Sequence, residues 1–297
     1  EAYKVLTEAE YGMGGSSSES VYSFEALLGD EMRKCYSVLI EMAPQPEIVN
    51  AFQRRYDYFN VKVLLKAEFL GQSAPPILLE TGVIDADKMM QIIRDRDYKE
   101  IDPLMQQAIE EVYDVFSRTQ DPQIVDLILD KASYHQFVTD LSKISSPFLN
   151  KLAEIIIDMT NIKMFIRARS INKAWDFINK LLLEGGCISK KVYFDCSDKP
   201  IDTFAGEIRL SPYGDAVGNG LELYKKKNNI SGLERLLDDY LMNYIRGAKL
   251  VLMGIEPLIA YLFAKETEIK NVRVIMTGKI NKLPVDLIRE RLRLSYV

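Results

Sequence analysis

The sequence predicts an all-α protein built from one helical unit used three times. Three observations carry this expectation. A motif of acid, asparagine, base and apolar residues recurs at 57–67, 158–168 and 268–278. A proline stands fourteen positions before the asparagine of each copy. Strand-like runs are sparse, Val192-Tyr-Phe-Asp-Cys196 being the one stretch with β character.

The motif reads DYFNVKVLLKA, DMTNIKMFIRA and EIKNVRVIMTG in its three copies. Such self-similarity marks a repeat architecture. Pro46, Pro147 and Pro257 are the prolines upstream of Asn60, Asn161 and Asn271. Proline suits the first helical position, where its missing N–H has no partner to lose. Ser146 before Pro147 is a good N-cap. From each proline apolar residues continue through the motif, predicting a helix of about twenty residues, or ~30 Å.

Before the prolines lie Ala26-Leu-Leu-Gly-Asp30, Asp126-Leu-Ile-Leu-Asp130 and Arg235-Leu-Leu-Asp-Asp239, with helical apolar spacing. Their last aspartates precede the prolines by 16, 17 and 18 residues. A short loop there predicts an antiparallel hairpin between each such helix and the long helix that follows. Downstream, Leu79-Glu-Thr-Gly-Val-Ile-Asp85 parallels Leu183-Glu-Gly-Gly-Cys-Ile-Ser189. Gly82 and Gly186 break the chain before Asp85 and Ser189, which are placed to cap a third helix. Pro284 starts the corresponding helix of the last copy, over 285–294. Tyr11-Gly12 and Tyr213-Gly214, with Tyr98 as a weaker counterpart, mark the head of each unit. The expected domains are 1–95, 96–210 and 211–297.

Composition bounds the function. Apolar residues are 47% and charged residues 27% of the chain, the balance of an ordinary globular protein. A net charge of −5 excludes a dedicated nucleic-acid binder, which needs a positive field to neutralise phosphates. The charge is uneven: residues 1–57 carry ten acids and five bases, whereas 269–297 is basic. That basic end is either a steering surface for an acidic partner or a solvated helix face. Cys35, Cys187 and Cys196 form no CxxC pair, which fits a reducing compartment. One histidine, His135, excludes zinc chemistry with several His ligands. No signal or transit peptide is visible. The chain begins at Glu1 in mid-pattern, so a preceding stretch is expected. Leu250 to Ala264 is too short for a membrane span, which needs ~20 residues, and is expected to be a buried helix.

The chemistry motifs fail on spacing. Gly12, Gly14 and Gly15 lack a following Gly-Lys-Ser/Thr, and Gly278-Lys279 is followed by Ile280, so neither is a phosphate loop. Gly214, Gly218 and Gly220 miss the dinucleotide spacing and read as a turn. His135, beside Tyr134 and Phe137, reads as a helix-packing side chain, and Trp175 as core. No catalytic, cofactor or metal residue is expected. Lys62 and Lys66, like Lys163 and Arg167, share a helix face at i,i+4, while the third copy keeps Arg273 but has Thr277. Two readings follow for the bases. Lys62, Lys163 and Arg273 either line a basic hole or groove, or reach carboxylates of a facing helix, with Asp30, Asp130 and Asp239 as the candidates.

The C-terminal stretch resembles the C subunit of the V-type (A-type) ATP synthases, the counterpart of the d subunit of vacuolar ATPases. The residues that carry the resemblance are Ser211-Pro-Tyr-Gly214, Leu233 to Leu241, Glu256-Pro-Leu-Ile-Ala-Tyr-Leu262, Glu268-Ile-Lys-Asn-Val-Arg273, Gly278-Lys279, Ile288-Arg-Glu-Arg-Leu292 and Tyr296-Val297. Asp57-Tyr-Phe-Asn-Val-Lys62 and Leu64-Leu-Lys-Ala67 resemble the first-domain counterpart, whereas Lys191 to Leu210 matches poorly. The resemblance implies three similar helical domains around a pseudo-threefold axis, forming a funnel-like socket. It implies a non-catalytic linker, without cofactor or membrane span of its own. Such a linker sits on the cytoplasmic face of the proteolipid rotor ring, receives the D and F shaft subunits, and passes torque for proton or sodium transport. A general helical-repeat scaffold for other proteins is the alternative. A helical enzyme dependent on His135 is the third class.

Overall fold

The computed structural model describes residues 24–73 and 77–297. Tyr11-Gly12 and the glycines at 12, 14 and 15 lie outside the described residues. Among the described residues every regular element is helical, with thirteen α-helices, two 3-10 turns and no strand.

The long helices start where their prolines predict. They are α2 (Pro46–Phe69), α6 (Pro147–Ser170) and α12 (Glu256–Ile280), of 24, 24 and 25 residues. At α6 the Leu149 N–H donates to Ser146 Oγ at 3.3 Å, satisfying an orphan donor of the first turn. Asp85 accepts from Asp87 N–H and Lys88 N–H to open α3 (Ala86–Asp95). Ser189 precedes α8 (Lys190–Asp195) without a side-chain cap. Pro284 precedes α13 (Val285–Arg291), shorter than the expected 285–294.

Two compact units result. The described part of one comprises residues 43–73, 77–157 and 183–185, and so holds α2, α3, α4 (Pro103–Thr119), α5 (Gln123–Ser142) and the start of α6. Within it α2 packs along α5, α5 along α4, and α3 on α2. Its core joins Tyr58, Val61 and Leu65 of α2 to Ile92 and Ile93 of α3, Ile109 and Val112 of α4, and Val125 and Leu129 of α5. These positions recur at i, i+3, i+4 and i+7, the single stripe that a helix buries.

The described part of the other unit comprises residues 24–42, 158–182 and 186–297. It holds α1 (Phe24–Met42), the rest of α6, α7 (Trp175–Leu181), α8, α9 (Ile201–Glu207), α10 (Gly214–Lys227), α11 (Ser231–Arg246), α12 and α13. Here α1 lays Leu27, Leu28, Cys35, Tyr36 and Leu39 along α12. α10 and α11 approach so closely at Gly220 that an added Cβ would come within 2.4 Å of Leu233 Cδ1 and 2.9 Å of its Cα.

Several expectations are corrected. The expected hairpins are not among the main packings of the first two pairs: α1 packs along α12, α2 along α5, and α5 along α2 and α4. Val192–Cys196 lies mostly in helix α8, with Tyr193 buried against Phe165 and Phe204 while Phe194 is exposed. No strand stands among the described residues to pair its backbone, and a helix satisfies those groups internally. Leu250 to Ala264 is not one buried helix. Leu250, Leu252 and Met253 form an exposed turn, and the helix begins at Glu256. His135 is exposed rather than packing, and Gln136 beside it is the buried residue. Trp175 is half-buried, its ring edge-on to Phe194 at 5.1 Å.

Candidate functional site: the repeated asparagine and base motif

Two of the motif asparagines, Asn60 and Asn271, act as backbone clamps. Asn60, fully buried on α2, donates through Nδ2 to the Leu79 carbonyl at 2.8 Å and accepts the Leu79 N–H on Oδ1 at 2.8 Å. Asn271 on α12 treats Arg293 alike, with its Nδ2 3.0 Å from the carbonyl and its Oδ1 2.8 Å from the N–H. A carboxamide carries one donor edge and one acceptor edge, so it pairs with a peptide group as a neighbouring strand would. Neither a carboxylate nor an ammonium can do both. Asn161 is buried at the same register of α6.

The acids that open the motif hold the next turn. Asp57, buried, accepts the N–H groups of Val83 and Ile84, both at 3.1 Å. An added Cβ at Gly82 would lie 2.2 Å from Asp57 Oδ1, so the turn closes on the carboxylate only with glycine there. Asp158, also buried, accepts the N–H groups of Cys187 at 2.9 Å and Ile188 at 3.2 Å, and the Tyr213 hydroxyl at 3.0 Å. Burial pushes the Asp57 carboxyl up to about 6, against the N–H bonds from Ile84 and Val83 and the Arg54 charge, which pull it down.

That shift has a pH consequence. The folded state holds the Asp57 proton more tightly than the unfolded chain, whose carboxyl titrates near ~3.9. The group therefore favours folding below about pH 4. That contribution is lost as pH rises to about 6. Asp57→Asn is expected to flatten the urea-midpoint profile between these values; an unchanged slope in the variant would contradict the assignment.

The aligned bases Lys62, Lys66, Lys163, Arg167 and Arg273 each have a carboxylate partner, and their pairing advances by one repeat. Lys62 of the first copy pairs with Asp130 of the second at 2.6 Å, and Lys66 with Asp126 at 2.6 Å. Lys163 of the second pairs with Asp238 of the third at 2.6 Å, and Arg167 Nε with Glu234 at 2.9 Å. Arg273 of the third pairs with Glu25 of the first, Nε to Oε1 at 2.8 Å. Asp30 instead bonds Arg33 on its own helix, and Asp239 accepts the Leu294 N–H at 2.8 Å.

Asp238 is the hub. Besides Lys163 it takes the Lys270 ammonium, and Arg293 Nε at 2.7 Å. Burial would raise its carboxyl, but the ammonium groups of Lys163 and Lys270 outweigh that and hold it well below the usual carboxylate range. Lys270, Arg273 and Arg293 are thus matched with acids, which locally cancels part of the basic C-terminal field. Sequence reasoning missed Asp238 and Glu25. Each neighbours a position it had matched, Asp239 and Ala26.

Cys35 is not an activated nucleophile. Burial and then the Glu266 charge push the Cys35 thiol up to about 12, far from a reactive thiolate. His135 is exposed. The polar residues of the motif are spent on holding helices and turns, the chemistry of a rigid part rather than of a reacting centre.

Comparison with known proteins agrees. The profile of the ATP synthase (C/AC39) subunit family matches residues 1–291. The chain belongs to this family. It is similar to the C subunit of the V-type sodium ATPase of Enterococcus hirae, at 29% identity over 92% of the chain and 83% of that protein. It is also similar to the C subunit of the A-type ATP synthase of Haloferax volcanii, at 24% identity over 96% of the chain and 85% of the relative. That of Methanocaldococcus jannaschii is 23% identical over 86% and 68%. Family membership makes the chain a non-catalytic subunit of a V/A-type ATP synthase, an ion-transporting rotary complex. No helix among the described residues is long and apolar enough to cross a membrane.

Proposed function

We propose that this chain is the linker of the rotor, receiving the D and F shaft subunits and seating them on the cytoplasmic face of the proteolipid ring. The observation that carries this reading is the cyclic order of the ion pairs. The base of each repeat takes an acid from the next, and the last returns to the first through Arg273 and Glu25. Segments 1–95, 96–210 and 211–297 are then three helical domains about a pseudo-threefold axis, each stitched to its neighbour. Ion pairs that tie consecutive repeats stiffen the chain, as a part under torque requires. Long helices packed along their length supply the stiffness.

Reconstitution with purified ring and shaft tests the proposal. The expected result is a ternary complex that forms only when this chain is present. Assembly of ring and shaft without it, or failure of the chain to join either, would overturn the linker role.

A further inference from the structure

The connection between α11 and α12 is unlike the two that precede the other long helices. Those are brief, Ala43-Pro-Gln45 and Lys143-Ile-Ser-Ser146. The third is a 3-10 turn, Gly247–Leu250, followed by Val251 to Ile255. Leu250, Leu252 and Met253 are 89, 95 and 88% exposed. Ala248 is buried at the base of the loop, and Gly254 makes the return with φ +129°. The tip is therefore held out from a fixed base.

The base has its own chemistry. The Lys249 ammonium sits 4.7 Å from the centre of the Tyr296 ring, and Arg246 donates to the Ser295 carbonyl at 2.6 Å. From 246 to 253 the chain carries two bases and no acid. The next acid, Glu256, is turned back on the loop, its Oε2 2.4 Å from where a Cβ on Gly254 would stand. An apolar tip above a collar of Tyr, Lys and Arg is the order of groups met on entering a bilayer from water. Aromatic rings and ammonium groups lie at headgroup level and alkyl chains beneath. Three side chains are too small an area for a stable protein interface, which buries about 1,200 Å² or more. A lipid surface requires no complementary shape.

We propose that the 250–253 loop inserts into the headgroup layer of an anionic phospholipid membrane, with Lys249 and Tyr296 at the interface. The inference goes beyond the linker reading and does not rest on it. Where both hold, this end of α11 and α12 faces the membrane.

Vesicle flotation of the full chain tests it. The vesicles are phosphatidylcholine alone, or phosphatidylcholine with phosphatidylglycerol at about seven to three. The chain is expected to float with the anionic vesicles, less so at high salt. L250S/L252S/M253S is expected to lower the bound fraction by about tenfold or more, and K249E by several-fold. Since the tip side chains are exposed, an unchanged circular-dichroism melt separates lost binding from lost fold. Flotation of the wild-type chain with neither vesicle, or equal flotation of the triple variant, overturns the proposal. So does a loop variant that loses only capture of the purified ring in detergent, which makes the loop a protein contact. Ternary assembly with ring and shaft, measured on the same variant, reads the linker role separately.

Discussion

Asp238→Ala is expected to lower stability by about 3 kcal/mol, near the lower end of the cost of breaking a buried ion pair. The carboxylate is mostly buried and Arg293 beside it equally so, whereas Lys163 and Lys270 reach partly into solvent, which discounts their share. Removing the acid leaves three cations facing one another with nothing between them. Lys163→Met alone is expected to cost about 1 kcal/mol, because Asp238 keeps Lys270 and Arg293. The pair Asp238→Ala and Lys163→Met should then cost less than the sum of the two, and a double-mutant cycle measures the difference. A cycle on Asp130 and Lys163 should show no coupling, since Asp130 belongs to Lys62. The pH dependence has the opposite sign to that of Asp57. A depressed folded pKa gives stability that is present above the unfolded value, about 4, and lost as pH falls below it. The wild type should show this acid limb and Asp238→Ala should lack it. Additive effects of Asp238 and Lys163 would remove the hub from the account.

What the sequence makes legible is local. Proline sets the start of α2, α6 and α12 because its own backbone decides the matter, and Ser146 and Asp85 cap because their oxygens reach an N–H two or three residues on. Partner choice is not local. A stripe such as Leu28, Cys35 and Leu39 on α1 asks for an apolar neighbour without naming it. The neighbour is α12, more than two hundred residues away, rather than the adjacent α2. Phase errors of one residue are also silent in sequence. Asp238 and Asp239 lie about 100° apart on α11, so one turns to the cations and the other to the Leu294 N–H. His135 and Gln136 divide in the same way, with Gln136 facing inward to Asp102 and Asp140. An exposed apolar tip such as Leu250 to Met253 has the composition of a core helix. Periodicity over so few residues does not separate the two.

The second large effect is expected at Asn60. Asn60→Ala deletes both bonds to the Leu79 peptide and leaves its N–H and C=O to find water in a half-buried place. An unsatisfied buried polar group costs about 1–3 kcal/mol, so the pair is expected to lower stability by roughly 3 kcal/mol. Asn60→Asp is the sharper test of the chemistry. It keeps an acceptor for the Leu79 N–H but sets a second oxygen against the Leu79 carbonyl, and it places a charge at a site without exposure. Its loss should equal or exceed that of alanine at neutral pH, and lessen as acid protonates the new carboxyl into a donor. Asn271→Ala should cost less, since Asn271 is only half-buried and Arg293 stays tied to Asp238. Limited proteolysis adds a local readout. Loss of the Asn60 clamp should expose the 77–84 segment to cleavage, and loss of the Asn271 clamp should expose 292–297. If Asn60→Asp were as stable as the wild type at neutral pH, the asparagine would serve only as a helix residue. The two-edged pairing that makes an amide necessary at this position would then be wrong.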